Sequence, residues 1–283
     1  MPASCGRRNS TLAVLLVTLA LSWPALGETT LSGRLEQGGL AQGLVRPGSS
    51  VSLDGRPVPV AADGRFLLGF GRDAAAEAVL EIQSPGAPPE RRVLAVTRRD
   101  WAIQRIEGLP RDKADPNPAA IARIKEEGDR LRALRTTASL APLFLSGLLR
   151  PADGVTSGVF GSQRVYNGRA GAPHSGLDIA APTGTPVRAA ADGIVVLAAA
   201  DLFLTGRTIM IDHGLGLVSS YAHLSRLDVE AGRRVAAGQP IGAIGASGLA
   251  TGAHLHWGMS WLDIRLDPES TLGLLGRGAG QKE

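Results

Sequence analysis

His254-Leu255-His256 sets two imidazoles two residues apart in an apolar run that reaches Met259. The period-two alternation of a strand aims both at one face, about 7 Å apart along the backbone. One ring can then bind a metal while the other stands beside a substrate. His174-Ser-Gly-Leu-Asp178 places an imidazole and a carboxylate four residues apart across a glycine, a spacing that suits a loop entering a strand. In Tyr221-Ala222-His223 the same alternation predicts that phenol and imidazole share a face. A lone histidine is often a hydrogen-bonded core residue, but all five histidines (His174, His213, His223, His254 and His256) fall in the second half of the chain. Imidazoles beside a carboxylate suit a borderline ion such as zinc, whereas calcium and magnesium want oxygen ligands only. Three protein ligands with a fourth position open is the form of a catalytic zinc site. No His-Glu-x-x-His occurs, so the glutamate base of a helical zinc peptidase is missing. The imidazoles left over after three ligands are chosen are therefore the groups for proton transfer. His213, in Ile211-Asp212-His213-Gly214, reads as a structural turn histidine.

The elements that must carry these residues read as mostly β. With 37 glycines and few aromatics, the chain favours short strands between tight turns. A small N-terminal domain resembling a β-sandwich is expected over 28–110, where apolar runs alternate with the turn signals Pro47-Gly48, Asp54-Gly55, Asp63-Gly64 and Pro85-Gly86. Asn117-Pro118 opens a linker helix within 111–146, with Ile121, Ile124, Gly128, Leu131 and Leu134 as its apolar stripe. An antiparallel β domain is expected over 147–275, with strands at 194–197, 208–211, 218–221 and 255–259. Within it, Gly184-Thr-Pro-Val187 and Gly238-Gln-Pro-Ile241 look like related turns, each leading into a strand.

Residues 1–27 read as a secretory leader: Arg7 and Arg8 precede the apolar run from Leu12 to Leu21, and Ala25-Leu26-Gly27 offers a cleavage site. The run is too short for comfortable membrane crossing, which takes about 20 residues. No stable membrane anchor is expected after cleavage. Cys5 precedes the run, so the mature chain has no cysteine and no disulfide, and a Gram-negative periplasm is the expected compartment. Removing Arg7 and Arg8 takes the net charge from +4 to +2. No basic stripe of the kind that binds nucleic acid stands out, and Arg91-Arg92, Arg98-Arg99 and Arg233-Arg234 read as solvated surface.

From about Phe160 to Pro268 the chain closely resembles the LytM/lysostaphin-type zinc endopeptidases of bacterial cell walls. Five ordered segments carry the resemblance: Phe160-Gly-Ser-Gln-Arg164, His174 through Val187, Tyr221-Ala-His-Leu-Ser225, Gly238 through Gly242, and Gly252-Ala-His-Leu-His-Trp257. The resemblance implies one zinc ion per chain held by His174, Asp178 and His256, with His223 and His254 acting on the peptide. It also implies peptidoglycan peptides as substrate and cleavage in their stems or cross-links. Arg164 could bind a substrate carboxylate, and Tyr221 and Trp257 could wall the groove. The rival reading is a non-catalytic regulator of other wall hydrolases, since some relatives have lost ligands; here every expected ligand is present. A biotinyl- or lipoyl-carrier reading of the hairpins fails because no lysine occurs between Lys125 and Lys282.

Overall fold

The computed structural model describes residues 29–106, 118–136, 139–166 and 169–273, without the side chains of Gln104, Ile106, Arg164, Tyr166 and Arg169. The expected leader, residues 1–27, lies outside the described residues.

Seven short strands come first: β1 (Thr30–Gly33), β2 (Leu40–Leu44), β3 (Ser50–Leu53), β4 (Arg56–Val58), β5 (Arg65–Gly69), β6 (Glu77–Gln83) and β7 (Glu90–Ala95). Asp54 and Gly55 both have positive φ, 50° and 74°, the twist that a two-residue hairpin needs to close β3 onto β4. Two antiparallel sheets result, β1-β2-β5 and β4-β3-β6-β7. Their apolar residues share one core: Leu40, Phe66 and Leu68 from the first sheet, Val51, Leu80 and Ile82 from the second.

Beyond β8 (Ile103–Ile106) and α1 (Pro118–Thr136) come β9 (Val155–Gly158), β10 (Gln163–Tyr166), β11 (Arg169–Ala170), β12 (Leu177–Ala180), β13 (Pro186–Arg188), β14 (Gly193–Leu202), β15 (Gly206–Gly214) and β16 (Leu217–Leu227). The chain continues through β17 (Arg234–Val235), β18 (Pro240–Ile244), β19 (His254–Trp261), β20 (Ile264–Leu266) and the short α2 (Pro268–Thr271). The large sheet runs β17-β14-β15-β16-β19-β12-β9, antiparallel throughout, with β20 on β19 and β18 on β16. The two look-alike turns lead into β13 and β18, which pair with each other. β8 pairs in parallel with β10, so the strand after the first sheets is built into the wall of the later region.

The helix packs with only part of its stripe. Leu131 and Leu134 cover Leu197, Leu202, Met210 and Val218 on one face of the large sheet, whereas Ile121 is exposed. Glu127 holds the helix there by accepting from Phe203 N–H at 2.8 Å. The N-terminal sheets join the same continuous core as the large sheet, with β5 running so close to Trp261 that a side chain at Gly69 would meet it. Ion pairs flank the contact: Arg56 with Asp263 at 2.6 Å, and Arg99 with Asp267 at 2.8 Å. Arg99, expected on open surface, is instead half-buried, with its guanidinium over the Trp101 ring.

Candidate metal centre

β12 and β19 run side by side with Asp178 opposite His256 and Ala180 opposite His254. Strand alternation then turns Asp178, His254 and His256 to one face, as their spacing predicts. His174 arrives on the preceding loop, its Nδ1 donating to the Val159 carbonyl at 3.0 Å. That bond leaves Nε2 to face inward. His174 Nε2 lies 3.1 Å from Asp178 Oδ1 and 3.1 Å from His256 Nδ1, and these last two atoms are 2.8 Å apart. Lone pairs aimed at one point repel unless a proton or a cation stands among them. Tetrahedral zinc with bonds of about 2.0–2.1 Å would space its ligand atoms at about 3.3 Å, a few tenths of an ångström wider. The donor set and its geometry therefore fit a borderline divalent ion, and the three residues form a group whose ligand atoms all lie within 4.8 Å of one another.

The backbone around the triad allows this approach only through glycine. A Cβ at Gly158 would lie 2.5 Å from Asp178 Oδ2, and one at Gly176 would lie 2.9 Å from the His256 ring. Burial alone would push the Asp178 carboxyl up, but the imidazoles of His174 and His256 beside it outweigh that and hold the group well below the usual carboxylate range. Burial pulls His256 down, so its ring is neutral at neutral pH, the form that binds a metal.

His223 reaches the same face by a different route. Tyr221 pairs with Ile209, yet Leu224 pairs with Arg207, so β16 carries one extra residue in a bulge. His223 adopts φ of 62° there, its N–H donating to the Thr205 carbonyl at 2.9 Å. Such a bulge re-aims a side chain. The His223 and His254 rings stand 4.7 Å apart, and His223 is 6.2 Å from the His256 ring. His223 Nδ1 donates to Ser247 O at 2.8 Å and His254 Nδ1 to Gly252 O at 2.9 Å. In each ring the tautomer leaves Nε2 with a lone pair; that of His254 is 3.9 Å from Asp178 Oδ1. Burial lowers the pKa of His223, with the charges of His254 and His256 adding to the effect.

Two expected groove residues are elsewhere. Tyr221 and Trp257 pair across β16 and β19 on the core face, both with 0% exposure, so neither lines a groove. The expectation that Tyr221 and His223 share a face fails because the bulge breaks the alternation between them. The backbone of Arg164 lies in β10, but its side chain is outside the described residues. His213 is a buried residue at the end of β15 rather than a turn residue.

A cavity of about 890 Å³ opens beside the triad, lined by His174, Asp178, Thr156 and Gln163 and also by Ala102 and Ile103. The last two belong to the segment before the helix, which carries no histidine or cysteine and which its sequence suits to shaping access rather than to chemistry, though no residue type marks these two. The Val159, Gly252 and Ser247 carbonyls that orient the imidazoles were equally invisible, since backbone groups leave no mark on residue type.

Residues 172–268 match Peptidase family M23. Over 86 residues the chain is 43% identical to the peptidoglycan DD-endopeptidase ShyA of Vibrio cholerae, a stretch covering 30% of this chain and 20% of that protein. It is 44% identical over 84 residues to the DD-carboxypeptidase/endopeptidase Mpg of Neisseria meningitidis, covering 30% of this chain and 19% of that one. The match thus spans about a fifth of the length of these curated relatives. A crystal structure of a candidate M23 peptidase from Pseudomonas aeruginosa superposes with a TM-score of 0.68 at 30% identity, over 86% of this chain and 96% of the other.

Proposed function

The chain belongs to peptidase family M23, and on that footing we propose that it is a zinc-dependent endopeptidase that hydrolyses peptide bonds in peptidoglycan stems or cross-links. The observation that carries this reading is the convergence of His174 Nε2, Asp178 Oδ1 and His256 Nδ1, with the imidazoles of His223 and His254 beside them. Those three atoms would hold one zinc ion. Bound there, zinc supplies Lewis-acid polarisation of a carbonyl and eases deprotonation of water in its open position.

The chain's own residues do the rest. His223 and His254, each with Nδ1–H fixed on a carbonyl, present Nε2 as the atom that takes or gives a proton. One neutral ring accepts the proton of the attacking water and later returns it to the leaving amine. While it holds that proton, its positive charge stabilises the oxyanion that develops on the scissile carbonyl.

Residues 28–110 act in this reading as a small β domain that shapes access, since Ala102 and Ile103 border the cavity; 111–146 link it to the catalytic domain at 147–275. The protein is exported by a leader cleaved after Gly27 and works in the periplasm of a Gram-negative bacterium; N-terminal sequencing of exported protein tests the cleavage. Among the described residues no helix is long and apolar enough to cross a membrane.

The deciding experiment digests purified peptidoglycan with the mature full-length protein, with and without chelator, and identifies new peptide termini by mass spectrometry. Cleavage should stop with chelator and return with zinc. A zinc-loaded protein that generates no new termini would leave the regulator reading in its place.

A further inference from the structure

β19 presents His254, His256, Gly258 and Ser260 in succession on one face. Gly258 lies opposite Ser220 of β16, about 7 Å along the strand from His256, and the missing side chain lets Ser220 and Arg265 close in over the strand there. A Cβ at Gly258 would stand 2.5 Å from Ser220 Oγ, 3.6 Å from Arg265 Nη1 and 3.8 Å from the carbonyl oxygen of Ser175, on the loop that carries His174. Arg265 reaches this place from β20, where it pairs with Ser260.

Among the described residues the Arg265 guanidinium donates no hydrogen bond and pairs with no carboxylate, and the Ser220 hydroxyl has no partner. A second cation is near. Arg135, at the end of α1, is 8% exposed, and its Nε has no hydrogen-bond partner. The acid acting on Arg135 is Asp263, already bonded to Arg56 at 2.6 Å. Burial, and after it the charge of Arg135, pulls Arg265 down to about 9, so it is still protonated at neutral pH. A guanidinium with no carboxylate on it is open to an anion, and its fork beside a hydroxyl is a match for a carboxylate.

We propose that Arg265, with Arg135 and Ser220, forms a cationic subsite that binds a free carboxylate of the peptide substrate, on the residue that contributes the nitrogen of the scissile bond. This rests on the peptidase reading above. A carboxylate one residue beyond the scissile carbonyl lies about 4 Å from it, and a guanidinium bond spans about 3 Å more, which together match the strand spacing from His256 to Gly258, where Arg265 Nη1 rests. The residue whose carbonyl is attacked has no free α-carboxylate, so the group must belong to the amine side.

The test uses the full-length zinc-loaded protein and two peptides differing only in whether the residue after the scissile bond ends in a carboxylate or a carboxamide. The acid should be favoured about 10- to 100-fold in kcat/KM. Arg265→Gln should erase the preference by raising KM for the acid alone, with zinc content unchanged, and Arg265→Lys should restore part of it. Equilibrium binding of the same peptides to the full-length His254→Ala protein should show the same preference in Kd. This separates the two ideas: a chain that discriminates in binding without turning over supports the subsite while removing the peptidase reading. Equal treatment of acid and amide by the unaltered protein overturns the proposal, as does a preference that survives Arg265→Gln. Should that variant fail to fold, Arg135→Gln and Ser220→Ala carry the same test, and a preference unchanged in both overturns it.

Discussion

Replacing His213 with glutamine should flatten the dependence of stability on acid. His213 is wholly buried; its Nδ1 donates to the Asp192 carbonyl at 2.8 Å, and its Nε2 meets the Ser219 hydroxyl at 2.7 Å. Ser219 is bonded in turn to the Tyr221 hydroxyl at 2.9 Å, and that oxygen accepts from Ala190 N–H at 2.8 Å. Burial lowers the His213 pKa from 6.5 to about 4. Between those values the unfolded chain binds a proton that the folded chain refuses, so stability falls as pH falls through the window and levels off below it. At roughly 1.4 kcal/mol per pH unit the group accounts for about 3 kcal/mol over the full window, and for on the order of 2–3 kcal/mol between pH 7.5 and 4.5. Urea unfolding of both proteins at these two pH values, with chelator present throughout, measures the difference free of metal linkage. Carboxylates and the other histidines titrate alike in both and cancel. The unaltered protein should lose about 2–3 kcal/mol more than His213→Gln; parallel losses would refute the argument that a neutral, desolvated imidazole is required there.

The proposed division of labour, with His174, Asp178 and His256 as ligands and His223 and His254 as catalysts, predicts two kinds of failure. Alanine at His174, Asp178 or His256 removes one of three bonds to the ion, so zinc retained after dialysis should fall together with cleavage, read by atomic absorption beside a muropeptide assay. Alanine at His223 or His254 should leave zinc near normal and lower turnover by roughly 100- to 10,000-fold. An emptied site in His254→Ala with retained zinc in His256→Ala would exchange the two roles. Tyr221→Phe removes a buried hydroxyl and leaves Ala190 N–H without its acceptor, so stability should drop by about 1–2 kcal/mol while kcat/KM stays within about twofold; a large loss of kcat/KM at unchanged stability would return Tyr221 to the substrate groove.

Much of this protein can be read from local pattern. The turn pair Asp54-Gly55, the helix opening at Pro118 and the strands around His256 follow from short-range backbone preferences, which hold wherever the segment is placed. The pairing of His254 with His256 on one face needs only that the segment be a strand. Family motifs, being strings of residue types, picked out five residues, His174, Asp178, His223, His254 and His256, whose side chains lie close together in the fold.

What the tertiary structure alone decided is non-local. His223 faces the site because an extra residue in β16 is absorbed against β15 and its N–H finds the Thr205 carbonyl, a partner that no spacing around Tyr221 announces. Tyr221 and Trp257 lie in the core because that same register turns the other face of the sheet toward the packed interior, where an aromatic ring gains most from leaving water. The helical stripe is divided because, of its residues, Leu131 and Leu134 are the ones that reach the apolar patch of Leu197, Leu202, Met210 and Val218. Arg265, one arginine among many in the sequence, stands over Gly258 through a hairpin partner and a missing Cβ, and β8 borders the cavity through a parallel pairing with β10. Residue type limits what a side chain can do, but its neighbours across strands determine what it meets, and those are set by long-range hydrogen bonds and shared burial.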